Sequence, residues 1–292
     1  MSVDKLFSIR NYFFLGNYQS CIGEALKFST KNEDEKIEKD IYLYRSFIAQ
    51  GQAFIPLKEI PSDTKSSALA SVRRYAEYRN DSKSKKRITS EVQSEASSRS
   101  IKDETSAVLA AIILNENGNP EDAFRAVARF DGIEARTTKI FTLVLMNKKK
   151  LAASEQKKLN AVDEDATLTQ LSNALVTSVS GGSKVKDALY IYNEMADKYG
   201  RTTDLEMHQA IVSILTQDYE AAEELLNSAM ERDSSDPDVL INSLVVGQFL
   251  EKDDNADRII SLLKHSHANH PWTVDYVNKE AEFDRLVAES SA

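Results

Sequence analysis

Glycine, proline and cysteine are scarce in this chain of 292 residues, which has nine glycines, five prolines and one cysteine. Strands joined by tight turns use glycine for positive φ and proline for fixed bends, so this scarcity disfavours an all-β fold and a glycine-looped nucleotide enzyme. The one cysteine, Cys21, has no second thiol for an intramolecular disulfide or a cysteine zinc site, which indicates a reducing, intracellular setting. Long helices are therefore the first expectation.

Long apolar runs are also missing. The longest strongly apolar and uncharged run, Val239 to Leu250, has 12 residues, whereas a helix that spans a bilayer needs about 20. The N-terminal residues lack the basic start and apolar run of a signal peptide. The 37 Lys and Arg are outnumbered by 46 Asp and Glu, a formal charge of −9, and phosphate binding depends on clustered basic residues. These absences predict a soluble protein with no nucleic-acid partner and no direct membrane insertion.

A repeat of 34 residues organises what is present. In Asp218–Met230 the apolar positions 222, 225, 226, 229 and 230 fall on one helical face, and Lys186–Met195 and Asp254–Leu263 carry the same stripe 34 residues earlier and later. Gly118–Val127 and Gly16–Ala25 keep the phase upstream. Each of these units opens its stripe with a small residue: Cys21, Ala123, Ala188, Ala222 and Ala256.

A period of 34, with a small residue where two antiparallel helices cross, resembles the tetratricopeptide repeat, although most of its consensus is missing. Each unit is amphipathic and cannot bury its stripe alone. About eight hairpins are therefore expected to stack into one all-α, right-handed solenoid over residues 1–292, with a concave groove. The pattern is weak at Ile55 and Thr89 and weakest over residues 80–105, and Lys150–Ala153 marks a shortened unit.

Residues 80–100 carry seven serines and a basic run, Lys83–Arg87. Ile88, Val92 and Ala96 recur every four residues, which predicts an exposed helix with a polar face. A nuclear-localisation or phosphate-binding patch is the alternative.

Catalytic and metal-binding patterns are mostly absent. The stretch His265–His270 precedes a proline and contains no Cys or carboxylate, so a helix C-terminus is a simpler interpretation than a metal site. His208 lies on an apolar stripe, as a packed histidine does. Ser180–Lys184 lacks the first glycine of a phosphate loop and predicts a turn between helices. The sequence thus predicts no cofactor, no metal site and no enzyme.

An uncharged helix is predicted from near Ala166 to Thr177, where solvated helices usually carry charges. The acids at 163–165 are expected to cap it rather than to bind calcium. Its amide and hydroxyl face suits a partner in the groove, and a contact between repeats is the alternative. Aromatic and aliphatic residues in the same phase favour a permanent protein partner. The predicted groove residues are Tyr44, Phe47, Ile112, Asn115, Gln170, Asn173, Thr177 and Ile211.

Several segments, in order along the chain, match one known family. They are Phe13–Ile22, Asp40–Arg45, Asp163–Leu171, Gly181–Lys184, Asp187–Lys198 and Lys279–Val287. They resemble the epsilon subunit family of coatomer, the coat of Golgi transport vesicles. The match is most specific from 163 to 198.

The resemblance implies a non-catalytic subunit of the coatomer (COPI) coat, a solenoid that curls around the C-terminal domain of the alpha subunit. It also implies a cytoplasmic protein that is peripheral on Golgi membranes and vesicles and supports Golgi-to-ER retrograde and intra-Golgi transport. Two alternatives remain. A tetratricopeptide co-chaperone that clamps acidic tails would need Lys and Arg at the groove positions. A vesicle-fusion adaptor fits the composition but does not match the segment from 163 to 198.

Overall fold

Helices supply all the regular secondary structure of residues 4–252 and 255–290, the part of the chain that this computed structural model describes. Seventeen α-helices and one 3-10 turn, Gly182–Lys184, follow one another there without a strand, and the all-α prediction is confirmed. The helices are α1 Phe7–Phe14, α2 Tyr18–Lys27, α3 Glu33–Ala49, α4 Phe54–Glu59, α5 Ser67–Asn80, α6 Lys85–Ser98, α7 Glu104–Glu116, α8 Pro120–Val127, α9 Ile133–Leu145, α10 Lys149–Asn160, α11 Thr167–Ser180, α12 Val185–Tyr199, α13 Thr203–Leu215, α14 Tyr219–Arg232, α15 Pro237–Phe249, α16 Ala256–Ser266 and α17 Pro271–Ser290.

Successive helices pair into eight hairpins, from α1–α2 to α15–α16, and α17 follows the last of them. The odd-numbered helices up to α15 are the first helices of the hairpins, and the even-numbered ones are the second helices. The two members contact each other in the first five hairpins and in the last two. This agrees with the repeat, which predicts about eight hairpins.

Six of the turns from a first helix to its second helix close in the same way. One residue enters the left-handed region, with φ between 55° and 76°. Its amide N–H bonds to the carbonyl three residues back, and the next N–H bonds to the carbonyl five residues back. This pair of bonds is the Schellman motif, which satisfies carbonyl groups that a helix end leaves open. The left-handed residues are Gly16, Gly51, Gly118, Asn147, Gln217 and Glu251.

Small side chains lie where the helices of a hairpin cross. Of the five that the repeat predicts, Ala256 of α16 is only half-buried. The other four are fully buried, because no larger group would let the two backbones approach this closely. The same holds in the shortened hairpin around Lys150–Ala153. The buried small residues at these crossings are Cys21, Ala123, Ala152, Ala188 and Ala222, each 0% exposed.

Two hairpins depart from the predicted phase. Pro56 lies in α4, which has only six residues. In α6 the core position is Ile88 rather than Thr89, and Ile88, Val92 and Ala96 are at most 1% exposed. They pack in one cluster with residues of α7 and α8. The prediction of an exposed helix is therefore correct for the polar face of α6 and wrong for its apolar face, which is core.

The chain divides into two compact units, Met1–Ile191 and Tyr192–Ala292, and the division falls inside α12. In the first unit each first helix from α1 to α11 contacts the next, and α11 returns to contact α1. The Thr167 hydroxyl of α11 donates a hydrogen bond to the Asn11 amide oxygen of α1. The first helices of this unit therefore form a closed circuit of contacts.

The second unit has its own core, built by the hairpins α13–α14 and α15–α16. Ala210, Ala222 and Val246 are at most 1% exposed in one cluster. A second cluster around Leu263 is covered by Trp272 of α17. The prediction that one array runs through both units stays a prediction.

Candidate protein-interaction site

The predicted groove residues all lie on first helices, and all eight are half-buried. Such positions can support packing and still meet a partner. Their part in binding stays a prediction. Tyr44 and Phe47 lie on α3, Ile112 and Asn115 on α7, Gln170, Asn173 and Thr177 on α11, and Ile211 on α13 of the second unit.

Contacts between neighbouring repeats use several of these side chains. Tyr44 and Ile112 pack against the same core cluster, and burial raises the pKa of the Tyr44 hydroxyl. The Asn115 side-chain amide donates to the Thr142 hydroxyl of α9 at 2.9 Å, while the Asn115 Oδ1 atom is buried without a hydrogen-bond partner among the described residues. Asn115 thus joins α7 to α9 and keeps an unused acceptor.

The uncharged helix begins where the sequence predicts. Asp163 accepts hydrogen bonds from the amides of Asp165 and Ala166 at 3.1 Å each, so it shapes the turn before α11. The prediction that these acids cap the helix is wrong, because the N-cap is Ala166 and no side chain in the described part of the chain bonds to the first-turn amides. Gln170 donates its amide to the Glu164 carbonyl oxygen at 2.7 Å. The amide face of α11 is therefore partly tied to its own N-terminal turn.

A buried ion pair crosses the circuit of first helices. Arg45 of α3 donates to the Glu134 carboxylate of α9 at 2.6 Å, and the two side chains are 6% and 18% exposed. The guanidinium also lies over the Phe13 ring, 4.6 Å from its centre. Its Nη1 atom is buried with no hydrogen-bond partner among the described residues. Repeat phase could not reveal this contact, because the two residues are 89 positions apart.

A cavity of about 520 Å³ opens where α7, α9 and α11 begin, and α1 and α3 complete its wall. Phe7 is 48% exposed there. Arg10, the one base of the described lining, bonds to Asp4 and Glu38. The apolar lining residues include Phe7, Phe14, Ile41, Ile133 and Leu168, and the acids are Asp4, Glu38, Glu104, Glu134 and Asp163. The cavity thus has a mixed apolar and acidic lining, and the sequence alone could not predict it because five helices must meet to form it.

Glu104 and Gly132 set one wall of this cavity. The Glu104 carboxylate accepts a hydrogen bond from the Ala135 amide at 3.1 Å, so α7 supplies a cap for α9, whose own N-cap is Gly132. A Cβ at Gly132 would overlap the Glu104 carboxylate. Burial raises the pKa of Glu104, and the nearby Glu134 charge adds to the effect. A side chain at position 132 would therefore displace the Glu104 carboxylate from the Ala135 amide.

The histidines that the sequence offered as possible ligands or bases lie at a helix end or in a packed position. α16 ends at Ser266 and His267 is its C-cap, as predicted, while α17 begins at Pro271. His208 is packed as expected, because its ring stacks on Tyr192 with 5.4 Å between the centres. Residues 4–252 and 255–290 contain no group of three or more His, Cys, Asp or Glu side chains that could hold a metal.

The basic run spans the turn before α6 and the first residues of that helix, which begins at Lys85. Arg87 pairs with Glu77 and Glu91 at 2.6 Å each, and the Lys85 ammonium lies 5.2 Å from the centre of the Tyr78 ring. Exposed pairs of this kind contribute little to stability. The segment Gly181–Gly182 has positive φ at both residues and forms the predicted turn. No helix in the described part of the chain has the length and apolar character needed to cross a membrane.

Solved structures show what fold the hairpins form. A tetratricopeptide repeat protein from Parabacteroides merdae matches 80% of this chain and 93% of its own with a TM-score of 0.56 and 13% identity. A chain of the APC/C Cut9–Hcn1 hetero-tetramer matches 91% of this chain and 53% of its own with a TM-score of 0.59 and 13% identity. The fold is therefore that of tetratricopeptide repeat proteins.

Sequence relatives show the family. Coatomer subunit epsilon of Caenorhabditis elegans is 70% identical over 290 residues, 99% of each chain. The Dictyostelium discoideum coatomer subunit epsilon is 31% identical over 97% of this chain and 98% of its own. Coatomer subunit epsilon-1 of Oryza sativa subsp. japonica is 29% identical over 98% of each. The family model described as coatomer epsilon subunit matches residues 2–291. The chain therefore belongs to the coatomer epsilon subunit family.

Proposed function

We propose that the chain is a non-catalytic subunit of the COPI coat whose first helices bind the C-terminal domain of the alpha subunit. One observation supports this most: the predicted groove positions are half-buried aromatic, aliphatic and amide side chains, which suit a lasting protein interface. The apolar cavity beside α1 adds a place where a partner side chain can be enclosed. The alpha subunit as the partner is what the resemblance to the coatomer epsilon family implies.

In this function the protein acts from the cytoplasm, on Golgi membranes and transport vesicles, as part of the assembled coat. Its membrane attachment is indirect, through the other coat subunits and a small GTPase. By stabilising the alpha subunit it supports Golgi-to-ER retrograde and intra-Golgi transport.

The alternative functions have no specific support. A co-chaperone clamp needs free cations in its groove, whereas Arg45 is engaged by Glu134 and Arg10 by Asp4 and Glu38. No feature of the described residues favours a vesicle-fusion adaptor over a coat subunit.

The test measures binding of the purified chain to a C-terminal fragment of the alpha subunit by isothermal titration calorimetry. The triple variant Tyr44→Glu, Asn173→Lys and Thr177→Lys places charges at three predicted groove positions. We expect Kd to rise at least about 30-fold, since loss of a central anchor typically costs about 2 kcal/mol.

A matched variant places charges on exposed positions of second helices in the same unit: Leu26→Glu, Ser94→Lys and Tyr190→Lys. Its Kd should stay within about twofold of the parent, because contacts outside an interface contribute little. Equal losses in both variants, or no binding of the alpha fragment by the parent chain, would refute the proposal.

A further inference from the structure

Two neighbouring first helices of the second unit carry large apolar side chains at equivalent positions, which together form a ladder. Ile211 and Leu215 lie four residues apart on α13, and Val245 and Phe249 lie at the corresponding positions of α15, 34 residues later. Residues four apart share a helix face, and α13 contacts α15. Four large apolar side chains therefore repeat in register across two adjacent helices.

Much of this ladder is open to solvent. Leu215 is 52% exposed and Phe249 is 57% exposed, while Ile211 and Val245 are half-buried. The Phe249 ring stacks on Tyr219 of α14, with 4.4 Å between ring centres and 6° between planes. The stack holds the aromatic ring in place, so little rotamer entropy is lost when a partner covers it. We call Ile211, Leu215, Tyr219, Val245 and Phe249 the unit 2 ladder.

The unit that carries this ladder is strongly acidic. Residues 192–292 contain eight Lys and Arg against 21 Asp and Glu, a formal charge of −13, whereas residues 1–191 contain 29 against 25, a charge of +4. Beside the ladder, Glu220 and Glu251 are exposed and have no ion-pair partner among the described residues. Lys252 is already paired with Glu223 at 2.6 Å. The surroundings of the ladder therefore attract cations and repel anions.

We propose that the unit 2 ladder receives a polypeptide segment that places two large apolar side chains on it and flanks them with lysines or arginines. The apolar contacts supply most of the affinity, and the basic flanks supply orientation and a faster association rate. The inference extends the predicted groove beyond Ile211. It does not rest on the alpha subunit as the partner, because it defines the chemistry of the segment and not the protein that supplies it.

A second copy of the chain fits this surface less well. Pairing two ladders would bring together two units of charge −13 each, and like charges at an interface oppose association. Self-association is therefore an outcome that the experiment must be able to detect.

The experiment uses the full chain and a fluorescein-labelled amphipathic helical peptide of leucine and lysine, with anisotropy read at 50 mM NaCl. One matched peptide has glutamate at every lysine position, and another has serine at every leucine position. We expect the leucine–lysine peptide to bind at least tenfold more tightly than either matched peptide, because binding requires both the apolar contacts and the attraction of the lysines to the acidic surface.

Variants of the chain locate the binding. Leu215→Ser with Phe249→Ser should raise the Kd of the leucine–lysine peptide at least tenfold. The control, Leu262→Ser with Phe283→Ser, removes side chains that are 37% and 66% exposed elsewhere in the second unit. It should change the Kd of the leucine–lysine peptide less than twofold. Circular dichroism verifies that each variant keeps its helices.

A variant with two glutamates neutralised tests the contribution of charge to binding. Glu220→Gln with Glu251→Gln should weaken binding about threefold at 50 mM NaCl and have little effect at 500 mM, since salt screens exposed charges. The control Glu282→Gln with Glu289→Gln makes the same charge change on α17 and should have a smaller effect.

Three results would overturn the proposal: equal weakening by the ladder and control variants, equal binding of the glutamate peptide, or a Leu215- and Phe249-dependent dimer in sedimentation equilibrium. Loss of alpha-fragment binding alone would refute only the proposed function, because the peptide measurement is independent of that fragment.

Discussion

At the scale of single residues, Gly132 is restricted by what lies beside it, because the Glu104 carboxylate occupies the space of a Cβ. Gly23, inside α2, has open space at that position. The two glycines therefore make a matched pair, one beside a carboxylate that an added Cβ would displace and the other beside open space.

We expect Gly132→Ala to lower the free energy of unfolding by about 1–3 kcal/mol, since the displaced carboxylate no longer satisfies the α9 amides. Gly23→Ala should raise it by up to about 1 kcal/mol, because alanine is the better helix former. Urea denaturation with unchanged m-values measures both. A loss of the same size in the two variants would contradict the argument.

The sequence predicts some residue positions well and others not at all. Cys21, Ala123 and Ala222 could be assigned to helix crossings, because a small residue recurring with the period has one physical explanation. Gly132 and Arg45 could not, because their importance comes from contacts with residues that the period does not relate to them.

At the scale of elements, the shared turn after six of the first helices explains why the period survives weak sequence similarity. The Schellman bonds need one left-handed residue, and the chain supplies glycine three times and Asn147, Gln217 or Glu251 elsewhere. Glycine scarcity therefore did not prevent the turns from forming. The repeat pattern predicted the turns at Gly16 and Gly118, but it gave no reason to single out Gly51, Gln217 or Glu251.

Helix α3 depends on α9 through the buried Arg45–Glu134 pair. We expect Glu134→Gln to cost about 3–5 kcal/mol, the usual effect of leaving a buried charge without its partner. Replacing both residues by apolar ones of similar size, Arg45→Met with Glu134→Leu, should recover much of that loss. Thermal and urea unfolding followed by circular dichroism provide the measurement.

The control uses a more exposed ion pair that also joins two helices. Arg74 and Glu95 lie 2.6 Å apart, with side chains 22% and 36% exposed. Glu95→Gln should cost less than about 1 kcal/mol. If the two single variants lose equal stability, burial is not what makes the Arg45 pair important.

At the scale of the whole molecule, charge is divided unevenly, with +4 in residues 1–191 and −13 in residues 192–292. The total of −9 hides this difference. Repulsion among the acids of the second unit opposes its compact state and is weakened by salt.

Raising NaCl from 20 to 300 mM shortens the Debye length from about 21 to about 6 Å. We expect hydrogen exchange to slow in α14 of the second unit and to stay level or quicken in α7 of the first. Mass spectrometry of peptic peptides reads both helices in one sample. Equal slowing in the two would mean that the charge difference has no bearing on stability.

The fold was largely predictable from the period, since the number of hairpins and most of the crossing residues follow from it, while α4 and α6 depart from the predicted phase. The candidate site was predictable only in part. The phase of the 34-residue repeat identified which residues lie on first helices and stay half-buried. The cavity and the unit 2 ladder arise where several helices meet, so the phase did not predict them. The 34-residue spacing of Ile211 with Val245 and of Leu215 with Phe249 was the available signal for the ladder.

Cys21 gives the molecule a chemical reporter of its own. It is the single thiol of the chain, it is 0% exposed, and burial raises its pKa, so the reactive thiolate is rare. A thiol reagent can therefore modify the chain at one place, and only while the first hairpin is open. The rate of alkylation therefore measures how often that hairpin opens. It can be measured in the free chain and in an assembled coat, and no labelling mutation is needed.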